Sequence, residues 1–295
     1  MTESADRAGH PALDNKNIVV HNLVRFQSGD RTQMMTWAKL LSTKRLKELY
    51  DEKPSERLPG DPRDEFERDY GRTVFSTPVR RLQDKAQVFP LEQHDAIRTR
   101  LTHSLEVSSV ARSMGKDAER IVAEKEGSNV IPNGTIATIA ATCGLVHDLG
   151  NPPFGHAGEK AIAHWFAQKR RSDPDFSAAF GELGTAPIEG SQFAMDFLKF
   201  EGNAQTQRLL SRLQVLADNY GLDLTCGTLS ASCKYTAKSN TTTSSDQAKK
   251  KHGFFASENE MIERIRQEVQ SGDARNPITF LVRLPLRRTF QRLHF

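Results

Sequence analysis

The chain has 295 residues, and its 41 basic and 37 acidic side chains leave a formal net charge of +4. Hydrophobic residues make up 37% of the sequence, and no apolar run reaches the roughly 20 residues that a membrane-spanning helix requires. This composition excludes a membrane protein and predicts one or two globular domains with a sizeable core.

The first residues and the cysteine spacing bear on the cellular compartment. Residues 1–7 contain no apolar stretch of the kind found in signal peptides. Cys143, Cys226 and Cys233 are odd in number and lack the spacing of zinc fingers or redox pairs. We therefore expect a cytoplasmic protein with reduced thiols.

Apolar residues recur at helical spacing along most of the chain, and no segment alternates in the way that is typical of strands. The predicted fold class is therefore all-α. In chain order, helices are predicted over residues 35–41, 63–70, 98–114, 135–148, 159–169, 191–200, 205–216, 228–235 and 259–269. Residues 1–60 are expected to form a partly disordered N-terminal segment, residues 61–282 the main domain, and residues 283–295 an aberrant basic tail.

Three features are expected to interrupt these helices. Gly115 follows the apolar periodicity of residues 98–114 and is predicted to end that helix. Residues 170–189 are rich in Gly, Pro, Ser and Asp, whereas residues 238–252 are rich in Ser, Thr and Lys. Both stretches are predicted to be loops, the second a flexible one at the surface.

The most informative segment, residues 144–159, reads GLVHDLGNPPFGHAGE. It begins with the pair His147–Asp148, and an imidazole beside a carboxylate favours a first-row divalent ion such as Mn, Fe, Co or Zn. A His–Asp pair by itself is more often a solvated surface pair. This one ends the apolar run of residues 136–146, which is typical of a buried helix, and polar groups buried there need partners. The segment therefore predicts a metal site.

The second half of the same segment carries two more chemically competent side chains. Gly150 and the two prolines at 152 and 153 are expected to end the helix and stiffen the turn that follows. This turn would bring His156 and Glu159 back toward His147, the kind of rigid support that a catalytic site needs.

Upstream, residues 98–104 read RTRLTHS and add a third histidine. His103 lies just off the apolar stripe of its predicted helix. On its own it is equally well explained as a residue at the edge of the core, and the motif favours the metal-ligand interpretation.

These segments resemble the HD-superfamily deoxynucleoside triphosphate triphosphohydrolases, the dGTPase group. Three further blocks agree with the same family: residues 70–90 (YGRTVFSTPVRRLQDKAQVFP), residues 200–206 (FEGNAQT) and Lys234–Tyr235. The similarity extends from about Arg45 to Val282. It implies a helical HD-type domain around a central metal site, a dNTP substrate, homo-oligomers, and a divalent metal, with Mn expected first and Mg, Co, Fe or Zn as alternatives.

The resemblance also implies roles for individual residues. Those that match metal ligands are His103, His147 and Asp148. Those that match the catalytic pair are His156, as the donor of a proton to the leaving 5′-oxygen, and Glu159, as the carboxylate that orients it. Those that match substrate contacts are Gln87 at the sugar and Arg100, Asn203, Lys234 and Tyr235 in the nucleotide pocket.

The tail departs from the family pattern. The family implies a fourth metal ligand, an Asp in the helix whose start resembles residues 276–282, but residues 283–295 contain four arginines and no acid. These arginines equal the whole excess of basic over acidic residues, so the net charge is weak support for a nucleic-acid partner. A truncated chain with loosely held metal and impaired hydrolysis is expected.

Two other functions remain open at this point. One is an HD phosphohydrolase that acts on a different nucleotide. The other is an inactive protein that binds nucleotides or single-stranded nucleic acid, which the absent Asp would favour.

Overall fold

A computed structural model describes residues 36–53, 57–87, 98–182, 190–213 and 219–283. Within these ranges the architecture is helical, and β pairing is limited to three isolated bridges, which join Arg45 to Thr225, Ala86 to Thr99, and Ala237 to His252. The all-α prediction is therefore confirmed. Most of the predicted tail, residues 284–295, and the first 35 residues lie outside the described ranges.

The helices follow one another with short connections. Their bounds are α1 Trp37–Leu40, α2 Glu65–Val74, α3 Thr77–Arg80, α4 Arg100–Glu126, α5 Thr135–Val146, α6 Gly155–Ser172, α7 Pro174–Glu182, α8 Gln192–Leu198, α9 Gly202–Ser211, α10 Cys226–Ser232 and α11 Asn259–Val269. Short 3₁₀ turns cover Lys47–Tyr50, Arg81–Asp84 and Ala256–Glu258. A further helical turn includes residues 279–283. None of the described helices is both long enough and apolar enough to cross a membrane.

Side-chain caps explain where several helices start. Asp64 begins α2 with a capping box, because its carboxylate accepts from the Glu67 amide while the Glu67 side chain accepts from the Asp64 amide. Thr99 caps α4 by accepting from the amide of Thr102 at 3.3 Å. The Thr99 cap places His103 in the first turns of α4, with its side chain turned into the protein.

The central helix pair α4–α5 differs from the prediction at Gly115. This glycine does not end α4, which continues to Glu126. It lies against α5 instead: a Cβ at Gly115 would lie 2.5 Å from the Cα of Ala137, and one at Gly144 would lie 2.8 Å from the Cα of Ser108. The absent side chains let the two backbones touch, so Gly115 is a packing residue within the helix and not a stop.

One other sequence expectation was wrong. Part of the stretch predicted as a loop at 170–189 is helix α7, which starts with Pro174, a residue well suited to the first helical position. Residues 238–252 contain no helix or strand and are mostly exposed, as expected of a surface loop. Hydrogen bonds tie the ends of this loop together, because the amide of Thr236 donates to Ala248 O and that of Gly253 donates to Ala237 O.

The core consists of two groups of buried apolar residues on either side of α5. One is centred on Val107, Ile136 and Ile139, the other on Leu145, Leu149 and Leu210. Because α5 is buried along its whole length, its C-terminal end emerges inside the protein, where the two polar residues His147 and Asp148 follow.

Candidate active site

His103, His147 and Asp148 form a cluster in which one ligand atom from each residue lies within 4.8 Å of the others. The two imidazole rings are 5.2 Å apart between centroids and meet edge to face. His103 comes from the first turns of α4, whereas His147 and Asp148 follow directly after α5. The close contact of these two helices therefore brings the three side chains together.

The nitrogen atoms of this cluster suit a metal ion. Nδ1 of His147 lies 2.7 Å from the carbonyl oxygen of Gly144, and this contact requires that Nδ1 carry the proton. Nε2 of His147 and Nε2 of His103 are buried and have no hydrogen-bond partner in the described part of the chain. Two buried nitrogen lone pairs beside a carboxylate are a donor set that fits a first-row divalent ion.

Electrostatics favour the cation-binding forms of His103 and Asp148. Burial lowers the pKa of His103 to about 4, so its imidazole is neutral at pH 7. For Asp148, burial alone would raise the pKa, but attraction to neighbouring positive groups, with Arg100 ion-paired at 3.0 Å, outweighs burial and holds the pKa below its usual range. The carboxylate is therefore ionised at neutral pH.

Both oxygens of Asp148 are held by neighbours. Oδ1 accepts from Nδ2 of Asn151 at 2.8 Å, and Oδ2 accepts from the guanidinium of Arg100 at 3.0 Å. The guanidinium also reaches the start of α6, because a side chain at Gly155 would lie 3.0 Å from it. Arg100 thus lies against both Asp148 of the cluster and Gly155, the residue that precedes His156.

The second element of the site is a histidine and a carboxylate one helical turn apart on α6. Nδ1 of His156 lies 2.6 Å from Oε2 of Glu159, and Oε1 of Glu159 accepts from the amide of Gly202 at 2.9 Å. The carboxylate is buried and fixed on both oxygens, whereas the imidazole is exposed. This arrangement orients His156 and leaves its Nε2 directed away from Glu159 for proton transfer.

Gly202 lies between the two elements. A side chain at this position would come within 2.9 Å of Oε1 of Glu159 and would collide with the side-chain oxygen of Asn151. Asn151 holds Asp148, and Glu159 holds His156, so both chemical groups pack against the first residue of α9. The cluster and the His156–Glu159 pair therefore belong to one site.

Sequence reasoning missed an ion pair beside this site. Nζ of Lys251 lies 2.5 Å from Oε2 of Glu201 and 4.0 Å from Oε2 of Glu159. Burial lowers the pKa of Lys251, but its hydrogen bond and attraction to Glu201 outweigh burial and raise it. The sequence did contain one signal that this segment packs against the core. Its Lys-rich stretch ends at Gly253, which is followed by two phenylalanines that are buried in the structure.

A cavity of about 460 Å³ opens beside His156. Its lining includes Glu159 and Glu201 and is otherwise rich in basic groups, contributed by His156, Lys160, Lys199, Lys250 and Lys251. Both acids already have partners within the protein, which leaves a basic surface suited to an anion.

Comparison with known proteins agrees with this site. Residues 100–203, which contain His103, His147, Asp148, His156 and Glu159, match the HD domain family. The chain therefore contains an HD domain.

Relatives of this HD-domain protein include deoxyguanosinetriphosphate triphosphohydrolase-like proteins. One from Listeria innocua is 40% identical over 256 residues, which are 84% of this chain and 52% of the relative. One from Synechocystis is 39% identical over 266 residues, which are 84% of this chain and 56% of the relative. A deoxyguanosinetriphosphate triphosphohydrolase from Yersinia enterocolitica is 36% identical over 74% of this chain and 46% of its own length. The chain thus spans about half the length of the curated relatives it matches.

The remaining predicted residues lie around the HD-domain site to different degrees. Asn203 and Lys234 line a small second pocket together with His147. Burial lowers the pKa of Lys234 against the opposing attraction of Asp148 and Glu201. Tyr235 is buried, and no described contact joins Gln87 to the cluster, although its side-chain oxygen is buried without a partner among the described residues.

Proposed function

We propose that this chain hydrolyses deoxynucleoside triphosphates to a deoxynucleoside and inorganic triphosphate, with a divalent metal held by His103, His147 and Asp148. The observation that carries the proposal is the packing of a buried His–His–Asp cluster and an oriented His156–Glu159 pair against the same residue, Gly202. The names of the relatives support the choice of substrate.

The donor set guides the expected metal. Two imidazole nitrogens and one carboxylate favour Mn, Fe, Co or Zn over ions that prefer oxygen alone, and Mn is the ion we propose. When bound, such an ion would supply Lewis acidity and make water a better nucleophile at neutral pH. Asn151 and Arg100 would hold the carboxylate of Asp148 in place for the ion.

The protein's own residues would perform the proton chemistry. Water attacks the α-phosphorus and releases a proton to the solvent, the bond between phosphorus and the 5′-oxygen breaks, and the leaving alkoxide takes a proton from Nε2 of His156, which the solvent then replaces. Glu159 accepts a hydrogen bond from Nδ1 of the same ring and stabilises the imidazolium before it gives up the proton. The triphosphate product leaves with its charge offset by basic side chains.

The basic cavity supports a substrate with several phosphates. Lys251, Lys250 and Lys199 lie on the wall shared with His156, and Lys234 lies beside His147 in the smaller pocket. Charged donors of this kind bind phosphate oxygens strongly. Homo-oligomers, single-stranded nucleic acid as a partner and cytoplasmic location remain predictions from the sequence.

The test is incubation of the 295-residue chain with each dNTP in turn, with added Mn²⁺ and after treatment with a chelator. Chromatography should detect deoxynucleoside and triphosphate in equal amounts, and the chelator should abolish both. Deoxynucleoside monophosphate with pyrophosphate would contradict the proposed cleavage site. Hydrolysis confined to nucleoside monophosphates would favour a phosphohydrolase with a different substrate.

A further inference from the structure

The turn that follows Asp148 is held by a lysine from a distant part of the chain. Nζ of Lys85 donates to the carbonyl oxygens of Asn151 at 3.0 Å and Leu149 at 3.4 Å. The same turn is fixed on its other side, where the amide of Gly150 donates to Oγ1 of Thr206 at 3.0 Å. The turn therefore cannot shift without breaking contacts to two separate segments.

The contacts of Lys85 lead to both groups that hold Asp148. Through its side chain, Lys85 fixes the main chain of Asn151. The side-chain nitrogen Nδ2 of Asn151 in turn donates to Oδ1 of Asp148. Through its main chain, Lys85 accepts from the amide of Arg100 at 3.0 Å, and the guanidinium of Arg100 holds Oδ2. A bridge between Ala86 and Thr99 keeps these two segments together.

The surroundings of Lys85 disfavour its positive charge, so the charge alone does not explain why a lysine lies there. Its side chain is half-buried. Burial and the nearby positive charge of Arg100 lower its pKa, and attraction to Asp148 opposes them in part. An ammonium group has three donors, and two of them are directed at main-chain carbonyls. This use of its donors points to geometry and leaves little capacity for a phosphate.

We propose that Lys85 is a positioning residue for the candidate metal centre. It clamps the turn at residues 149–151 and thereby fixes the carboxylate of Asp148 between Asn151 and Arg100. The inference rests on the proposed metal-dependent function, and it assigns to Lys85 a role that acts through Asp148 and not through contact with substrate.

The variant Lys85→Met removes both donors and keeps much of the apolar stem. We expect its affinity for Mn²⁺, titrated as the metal alone, to fall roughly 10–100-fold, as is usual when a partner of a metal ligand is lost. In the metal-free protein, amide exchange at Gly150 and Asn151 should become faster. The kcat for a dNTP should fall, whereas KM measured at saturating Mn²⁺ should change little.

Two further variants serve as a conservative replacement and as a control. Lys85→Arg retains a cation with several donors and similar reach, and it should recover most of the Mn²⁺ affinity. Lys116→Met removes an exposed lysine on α4, about 20 Å from His103 at the helical rise per residue, and it should leave every readout unchanged. If Lys85→Met proves too unstable to titrate, Lys85→Gln, which loses the ammonium group and its reach, takes its place, and its amide exchange at Gly150 and Asn151 should be faster than that of Lys116→Met.

A double-mutant cycle separates a role through the turn from an independent one. Because Lys85 acts through Asn151, the combined Lys85→Met and Asn151→Ala protein should lose less Mn²⁺ affinity than the two single losses predict. Unchanged Mn²⁺ affinity and amide exchange, with a raised KM only, would overturn the proposal and make Lys85 a phosphate contact.

Failure of the proposed function gives a different pattern. In that case the parent chain binds Mn²⁺ and responds to Lys85→Met in affinity and exchange, yet it hydrolyses no dNTP. A parent chain that binds no Mn²⁺ contradicts both the metal centre and the role of Lys85 in shaping it.

Discussion

His156 and Glu159 are joined by a contact of 2.6 Å but differ sharply in exposure: the imidazole is 76% exposed to solvent, whereas the carboxylate is 8% exposed. The buried partner is fixed by the amide of Gly202, and the exposed partner faces the basic cavity. A buried carboxylate that orients an accessible imidazole is the arrangement required for proton transfer to a bound ligand. Structural pairs on helix surfaces usually expose both members.

The first prediction concerns this pair. His156→Ala should retain bound metal and lower kcat by ~10²–10⁴-fold, the usual contribution of a general acid. The matched control is His164→Ala, since His164 is an exposed histidine on the same helix, and it should remain as active as the parent. Steady-state kinetics with metal analysis decide the matter. Activity of His156→Ala within a few-fold of the parent would reduce His156 to a structural part of the turn.

The second prediction concerns the metal. His147→Ala removes the nitrogen whose lone pair is buried without a partner, so the protein should lose bound Mn²⁺ and hydrolysis while its helix content stays the same. Metal is measured by mass spectrometry after dialysis, and helix content by circular dichroism. His164→Ala again serves as the control. Parent-like metal content in His147→Ala would remove His147 from the ligand set.

The third prediction concerns the contact of α4 and α5. Gly144→Ala should destabilise the protein by about 1–3 kcal/mol, the usual effect of overpacking, because the new methyl group meets the backbone of Ser108. It should also weaken Mn²⁺ binding. Gly71→Ala is the matched control: its methyl group meets only the far end of the half-exposed Arg63 side chain, at 3.3 Å, and an alanine within a helix stabilises by about 0.5–1 kcal/mol. Urea unfolding of both variants measures the difference, and equal stabilities would contradict the backbone contact.

The fourth prediction concerns the pH dependence of stability. Burial raises the pKa of Asp196 to about 6 from an ordinary value of 3.8. The folded state therefore binds the proton more tightly than the unfolded state, so this group's contribution to stability falls as the pH rises from about 4 to 6 and is constant above that range. Asp196→Asn should remove this dependence and stabilise the protein at pH 7 by about 1–2 kcal/mol, less than the full shift implies because the amide of Ala256 already donates to the carboxylate.

The measurement is the difference in unfolding free energy between Asp196→Asn and the parent at pH 4 and at pH 7, in which other titrations cancel. Asp117→Asn, at an exposed position on α4, provides the comparison. A difference that does not grow between the two pH values would show that Asp196 titrates normally.

The fifth prediction concerns the ion pair that sequence reasoning missed. Lys251→Gln keeps a donor for Glu201 but removes the positive charge at the cavity wall. We expect KM for a dNTP to rise about tenfold, equivalent to ~1.4 kcal/mol, with a smaller change in kcat. Lys238→Gln, in the same segment but away from the cavity lining, should leave KM unchanged. Equal KM values for the two variants would exclude Lys251 from substrate binding.

Apolar spacing and end signals within the sequence predicted those helices whose bounds depend on neighbouring residues. Helix α11 spans Asn259–Val269 as its apolar spacing predicts, and α5 ends at Val146, two residues before its predicted end, with His147 as its C-cap. Gly115 was misjudged because its role depends on Ala137, a residue distant in the sequence that packs on it. Short-range statistics treat a glycine as a stop whether it faces solvent or another backbone.

The same distinction between local signals and contacts of distant residues applies to the candidate site. The short motifs could relate His147 and His156 to each other because one short turn of chain connects them, and the roles of the two residues stay predictions. Lys251 could not be placed in this way, since its partner Glu201 caps the start of α9, 50 residues earlier in the chain, and the segment around Lys251 has a composition typical of loops. Only the folded chain brings Ala237 and His252 together and carries Lys251 to the cavity.

The contact of α4 and α5 through Gly115 and Gly144 has a consequence for ion selectivity. Because the main chains touch at these two glycines, the backbone segments that carry His103 and His147 are held at a fixed spacing, and only side-chain torsions can adjust the distance between the two imidazoles. We therefore expect substitutions at Gly115 or Gly144 to alter the preference of the proposed metal site among ions of different radius, although neither glycine belongs to that site.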